Sequence, residues 1–183
     1  MTRTCGTCTA CCKAMAVPDM LPKPKPMHKW CKHCNIGHGC QIYETRPSSC
    51  REFDCFWLQD KRGILPDSLR PDRSKVVLQP TMNGGLIAHC DPQRPLAWRH
   101  VQVFSWLRKL AARGYPIAAE AGSRHWIITG TTDWEVTADC KQTMPNGMVM
   151  IRCPDDVKQR IGLYVRPECK DLGQLTRISL TTI

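Results

Sequence analysis

CGTCTACC, residues 5–12, and WCKHCNIGHGCQIYETRPSSCREFDCFW, residues 30–57, decide how the first third of this chain can fold. Together they hold nine cysteines: Cys5, Cys8, Cys11, Cys12, Cys31, Cys34, Cys40, Cys50 and Cys55. Gly37, Gly39 and Pro47 punctuate the second stretch into turns. The connection between the two, PDMLPKPKP at 18–26, carries four prolines and predicts an extended, polyproline-like loop. So few aliphatic side chains cannot offset the ordering entropy of the backbone, so order here is expected to come from metal–thiolate bonding.

The spacing of the sulfurs supports that expectation. Cys5-x2-Cys8-x2-Cys11-Cys12 contains two overlapping C-x2-C steps, which let two thiolates of one turn reach one metal or adjacent corners of one cluster. Successive steps of this kind open the bacterial ferredoxin pattern, although no Cys-Pro follows here. Cys31-x2-Cys34 supplies a second pair, and C-x2-C…C-x2-C on its own is a zinc pattern with a somewhat long spacer. Cys11 and Cys12 are adjacent and are expected to point in different directions, serving different metals or leaving one unused. His28, His33 and His38 lie among the sulfurs and are expected to be exposed or to support the ligands rather than join them. The other four of the 13 cysteines, Cys90, Cys140, Cys153 and Cys169, are scattered singly and read as small core hydrophobes.

The compartment follows from the same residues. Met1-Thr-Arg-Thr leads directly into Cys5 without an apolar leader, and no run of 18 apolar residues occurs. A cytoplasmic setting is expected, where thiols stay reduced and dense cysteine points to metal rather than disulfides. The formal charge of +10 is evenly spread: residues 1–74 carry 12 basic and 7 acidic side chains and residues 75–183 carry 14 and 9, so each part is +5. The face of Arg99, Arg108, Lys109 and Arg113 is more simply solvated than bound to a polyanion. An even spread argues against nucleic acid as the partner, and leaves a protein or small molecule unspecified.

On these residues the first 58 positions resemble the YkgJ-type CxxCxxCC family, described as a zinc- or iron-chelating domain. The likeness rests on CGTCTACC at 5–12, Cys31, GCQIYETRP at 39–47 and CREFDCFWL at 50–58. It implies eight ligands, Cys5, Cys8, Cys11, Cys12, Cys31, Cys40, Cys50 and Cys55, with Cys34 additional to the pattern. Tyr43, Arg46, Pro47 and Arg51 match the accompanying signature. Arg46 and Arg51 are expected to donate to cluster sulfurs or, more simply, to pair with Glu44 and Glu52. Trp30, Tyr43 and Trp57 are expected to pack a small satellite core over the metal. Flagellin lysine methylases carry a similar cysteine signature, and for them an iron–sulfur cluster is implied. An iron–sulfur cluster of the 4Fe-4S type is thus expected. The alternatives are two or more Cys-ligated zinc ions, or a cluster-dependent enzyme such as a protein lysine methylase. No glycine-rich nucleotide loop, P-loop, HExxH or GxSxG occurs to name an activity.

The rest of the chain reads conventionally. Residues 1–60 are expected to form the cysteine lobe and 61–74, KRGILPDSLRPDRS, a surface connection, leaving 75–183 as an α+β part. Val76-Val77-Leu78 and Leu86-Ile87-Ala88 flank Asn83-Gly84-Gly85, a hairpin signal. From Trp98 to Arg113 apolar residues recur at three- and four-residue steps until Gly114, which predicts the principal helix. Strands are expected at 116–121, 126–129, 134–136 and 148–151, and a short helix at 155–161. His125 reads as a strand residue rather than a ligand. The fold class is α+β: a metal-stapled, loop-rich cysteine lobe on a small, mostly antiparallel sheet with one principal helix.

Overall fold

The computed structural model describes residues 3–81, 84–143 and 149–151. The cysteine region consists of short pieces. Helix α1 (Ala10–Ala14) is followed by a two-residue hairpin, β1 (Cys34–Asn35) and β2 (Gly39–Cys40). Two further short helices, α2 (Ser48–Glu52) and α3 (Phe56–Gln59), follow, and α4 (Pro71–Ser74) leads into the sheet with proline at its start. The proline-rich stretch differs from the extended loop expected. Val17 and Lys25 exchange both backbone bonds (2.9 and 3.0 Å), so the loop closes on itself.

The α+β part has a five-stranded mixed sheet in the order β3-β4-β5-β6-β7. These strands are β3 (Val76–Pro80), β4 (Leu86–Cys90), β5 (Ile117–Ala121), β6 (Arg124–Ile128) and β7 (Asp133–Glu135). The expected hairpin is the β3–β4 pair, with Val76 opposite Cys90 and Pro80 opposite Leu86. Three of the four pairings are antiparallel; β4 and β5 run parallel because helix α5 (Val101–Ala112) crosses between them. Gly114, at φ +87°, ends that helix in a left-handed conformation suited to glycine. At Gly85 a Cβ would stand 2.2 Å from the Pro116 carbonyl oxygen, so only glycine lets the hairpin approach β5. A separate antiparallel pair joins β8 (Lys141–Thr143) and β9 (Val149–Ile151). The helix expected at 155–161 lies outside the described residues.

Strand alternation divides the sheet into two faces. Val76, Leu78, Ala88, Cys90, Ala119, Trp126 and Ile128 bury one face against Val103, Leu107 and Leu110 of α5 and against Trp98. Phe56, Trp57, Leu65 and Leu69 complete the same core. The stretch read as a surface connection therefore contributes two buried leucines, and Trp57 belongs to the main core rather than to a satellite one. The opposite face carries a row of aligned residues: Val77, His89, Glu120 and His125. Helices α1, α3 and α4 all contact β3, so the N-terminal third wraps the edge strand of the sheet. Among the described residues no helix is long and apolar enough to cross a membrane.

Candidate metal centre

The backbone gathers the nine N-terminal sulfurs from five short pieces of chain. Cys8 N donates to Cys5 O (2.9 Å), turning the first knuckle into α1, which carries Cys11 and Cys12. Cys31 N donates to Cys12 O (3.0 Å), which brings the second cysteine block to the first. Gly37 N donates to the Thr9 hydroxyl (3.2 Å). A Cβ at Gly39 would lie 3.3 Å from Gly6 O, so the two knuckles meet where neither has a side chain. On the hairpin Cys34 stands directly opposite Cys40. Asp19, in the proline-rich loop, accepts from Ser48 Oγ (2.7 Å) and Ser49 N (3.2 Å) and so pins the start of α2, which bears Cys50. Those bonds hold the Asp19 carboxyl well below the usual carboxylate range.

Two groupings of sulfur result. Cys5, Cys8, Cys11 and Cys55 line one cavity with Trp57 and Pro71 in its wall. The Cys12 thiol lies beside both Cys11 and Cys34, and its single proton faces Cys11. Cys50 feels Cys11, Cys31 and Cys40. Backbone N–H groups point at several sulfurs: His33 N lies 3.4 Å from Cys31 Sγ, Leu58 N–H serves Cys55, and Ala10 and Asp72 N–H serve Cys8.

Electrostatics shows what such crowding costs. Burial pushes the thiols of Cys5, Cys8, Cys34 and Cys50 up, and Cys55 up to about 12, with neighbouring sulfurs adding to most of these shifts. Cys11 goes the other way, to about 7, because Cys12 donates to it and because local N–H groups and Arg46 favour its thiolate; burial opposes them. Cys12, the donor of that pair, is raised. Nine anionic sulfurs could share this volume only with cations among them.

Two cations are already nearby. Lys25 is buried, and its Nζ donates to the carbonyls of Lys13 (3.3 Å), Pro26 (3.0 Å) and Met15. Burial lowers its pKa, while Cys31, Cys12, Cys50 and Cys11 work to keep it charged. Arg46 stacks on Tyr43 (3.7 Å from guanidinium carbon to ring centre) and donates to Tyr43 O (2.8 Å). Arg51 is exposed on α2, and Tyr43 and Trp30 are 44% and 41% exposed, so neither ring forms part of a satellite core. Neither arginine is ion-paired with Glu44 or Glu52 among the described residues. His38 is exposed, and His125 sits in β6 as expected. Cys90 and Cys140 are buried core residues; Cys153 and Cys169 lie outside the described residues.

The described cysteines are all free thiols. Among the described residues no three His, Cys, Asp or Glu side chains are closed around one point tightly enough to hold a metal ion. The donor set nonetheless fits sulfur-liganded metal in its chemistry: soft ligands, N–H groups directed at sulfur, and buried positive charge beside them. Sequence reading did not find Lys25, which looks like a solvated lysine between prolines. Nor did it find Trp57 Nε1, which is buried without a hydrogen-bond partner. No family model matches the chain, and no curated protein or solved structure matches it.

Proposed function

We propose that this protein binds metal through the N-terminal cysteines and holds an iron–sulfur cluster, or clusters, in a structural or redox role. The observation that carries the reading is the convergence of nine free thiols from five short pieces of chain, with backbone N–H groups directed at their sulfurs. A packed core does not account for them, because all nine are only partly buried and lie apart from the main core except Cys55, which packs against it. The ferredoxin-like opening at Cys5-x2-Cys8-x2-Cys11 and the resemblance to YkgJ-type proteins favour iron. When bound, such a cluster supplies cross-links between loops and a site for one electron; the chain supplies thiolates, N–H donors and the charge of Lys25. A reducing cytoplasm would keep the thiols available.

Zinc is the second reading, favoured by one observation. Cys31-x2-Cys34 forms a turn closed by Cys34 N to Cys31 O (3.1 Å), with His33 N–H directed at Cys31 Sγ and Cys40 opposite Cys34 on the hairpin. That is the local form of a zinc-binding turn. Anaerobic purification followed by iron, zinc and acid-labile sulfide analysis decides between them. Iron with equimolar labile sulfide and broad visible absorption supports the first reading; stoichiometric zinc in a colourless protein supports the second. Less than one metal per chain removes both.

A further inference from the structure

We infer that the nine cysteines make two separate centres: Cys5, Cys8, Cys11 and Cys55 hold one, and the second draws on Cys12, Cys31, Cys34, Cys40 and Cys50. The inference rests on the metal-binding reading and adds to it which sulfurs act together. The first set is defined by a single cavity whose wall contains those four sulfurs and no other cysteine. Four thiolates are a full set for one tetrahedral metal or one four-iron cluster.

One residue of the cavity wall also carries an unpaired donor. Trp57 lies in that wall, is 8% exposed, and has a buried indole N–H with no partner in the protein. Leaving such a group unpaired is costly, so native structures rarely do. A thiolate or cluster sulfur brought beside that nitrogen by metal binding would give it an acceptor. Arg3 and Arg70 stack on the Trp57 ring (4.3 and 5.5 Å), and Arg70 also donates to Cys5 O (3.1 Å). Positive charge therefore borders this first set at Trp57 and Cys5.

The second set is built by different links. Cys12 O receives Cys31 N–H, Cys34 faces Cys40 across the hairpin, and Cys50 neighbours Cys31 and Cys40 as well as Cys11. None of these residues lines the Trp57 cavity. Cys11, adjacent to Cys12 in sequence and near Cys50, is the seam between the sets. Trp57 is thus a positioning and tuning residue for the first centre alone.

The test is anaerobic titration of the reduced full-length chain with Co(II), read from thiolate-to-cobalt charge-transfer absorption. Wild type should saturate at two or more equivalents. The Cys8→Ser/Cys55→Ser and Cys31→Ser/Cys40→Ser variants should each lose part of that capacity, the two losses adding to the whole. Trp57→Phe should keep full capacity but shift the charge-transfer band, and the shift should vanish in the Cys8→Ser/Cys55→Ser background. Near-UV circular dichroism from Trp98 and Trp126 reports whether each variant's core is intact. Alkylation mapping needs no variant at all: wild type loaded with one equivalent should protect its cysteines in sets, Cys5, Cys8, Cys11 and Cys55 rising together. Loss of all capacity in either variant with its core intact, or protection spread evenly over all nine cysteines, would overturn the division. A wild-type chain that takes up no cobalt and contains no metal as purified would overturn the metal reading itself.

Discussion

His28 Nε2, in the N-terminal third, lies 3.3 Å from Glu120 Oε2 on β5, and the other Glu120 oxygen accepts from His89 Nδ1 at 2.6 Å. His89 Nε2 in turn meets Gln79 Oε1 at 2.7 Å, so a buried polar chain ties the cysteine region to three strands of the sheet. The Gly122 N–H also lies 3.3 Å from His28 Nε2, a nitrogen that serves Glu120 as donor or Gly122 as acceptor, one at a time. Removing Glu120 strands two imidazoles at once. Glu120→Ala should therefore cost roughly 3 kcal/mol of folding stability, and Glu120→Gln less, in urea denaturation.

Lys25→Met should preserve the volume of the buried stem but remove three donors and a charge beside Cys12, Cys31 and Cys50. Metal retention should fall by roughly 10- to 100-fold, the usual size of losses from supporting residues. Competition against a chelator measures it; unchanged retention would show that Lys25 only closes the loop.

Acid should weaken the fold through Asp60 and Asp91. Burial acts against the charge of each, but Leu65 and Ile64 N–H and Arg3 hold Asp60 below its ordinary value, and Lys13 and Gln93 N–H hold Asp91 there. A carboxyl depressed in the folded state contributes stability that is full above its unfolded pKa of about 3.9 and is lost as pH falls through the folded value. Stability should thus decline below about pH 4, and Asp60→Asn should lower the neutral plateau and flatten that decline.

Cys90→Ser places a hydroxyl in a fully buried position, where Sγ has a long contact to Ala88 O (3.9 Å) and the Trp98 N–H beside it. It should destabilise by about 1–3 kcal/mol, whereas Cys90→Ala should be milder. Both should keep the wild-type metal content, which separates this cysteine from the N-terminal nine. Leu107→Ala, beneath the sheet, should cost about 2–5 kcal/mol and likewise leave metal content unchanged.

Local pattern made the sheet and helix legible. Three apolar residues on either side of Asn-Gly-Gly announce β3 and β4, and the three- and four-residue steps ending at Gly114 announce α5. The parallel β4–β5 pairing depends on a crossover whose outcome no local signal carries. Leu65 and Leu69 lie among prolines and charges, so their burial is visible only once the N-terminal third is packed on β3. The cysteine cluster was legible by count and spacing, but its division was not. Cys55 follows Cys50 closely in sequence, yet lines a cavity with Cys5 and Cys8, because α3 buries Phe56 and Trp57 in the core.

Metal removal should therefore loosen residues 5–50 first, with hydrogen-exchange protection lost there and retained in β4, β5 and α5. The covering of β3 gives that loosening a second consequence. With α1 drawn away, β3 keeps only α3 and α4 over it, and the outer backbone of an apolar strand, Val76-Val77-Leu78, is less shielded from another chain. Metal starvation would then be felt as self-association at rising protein concentration, reversed by restoring metal only before the strands of separate molecules have paired.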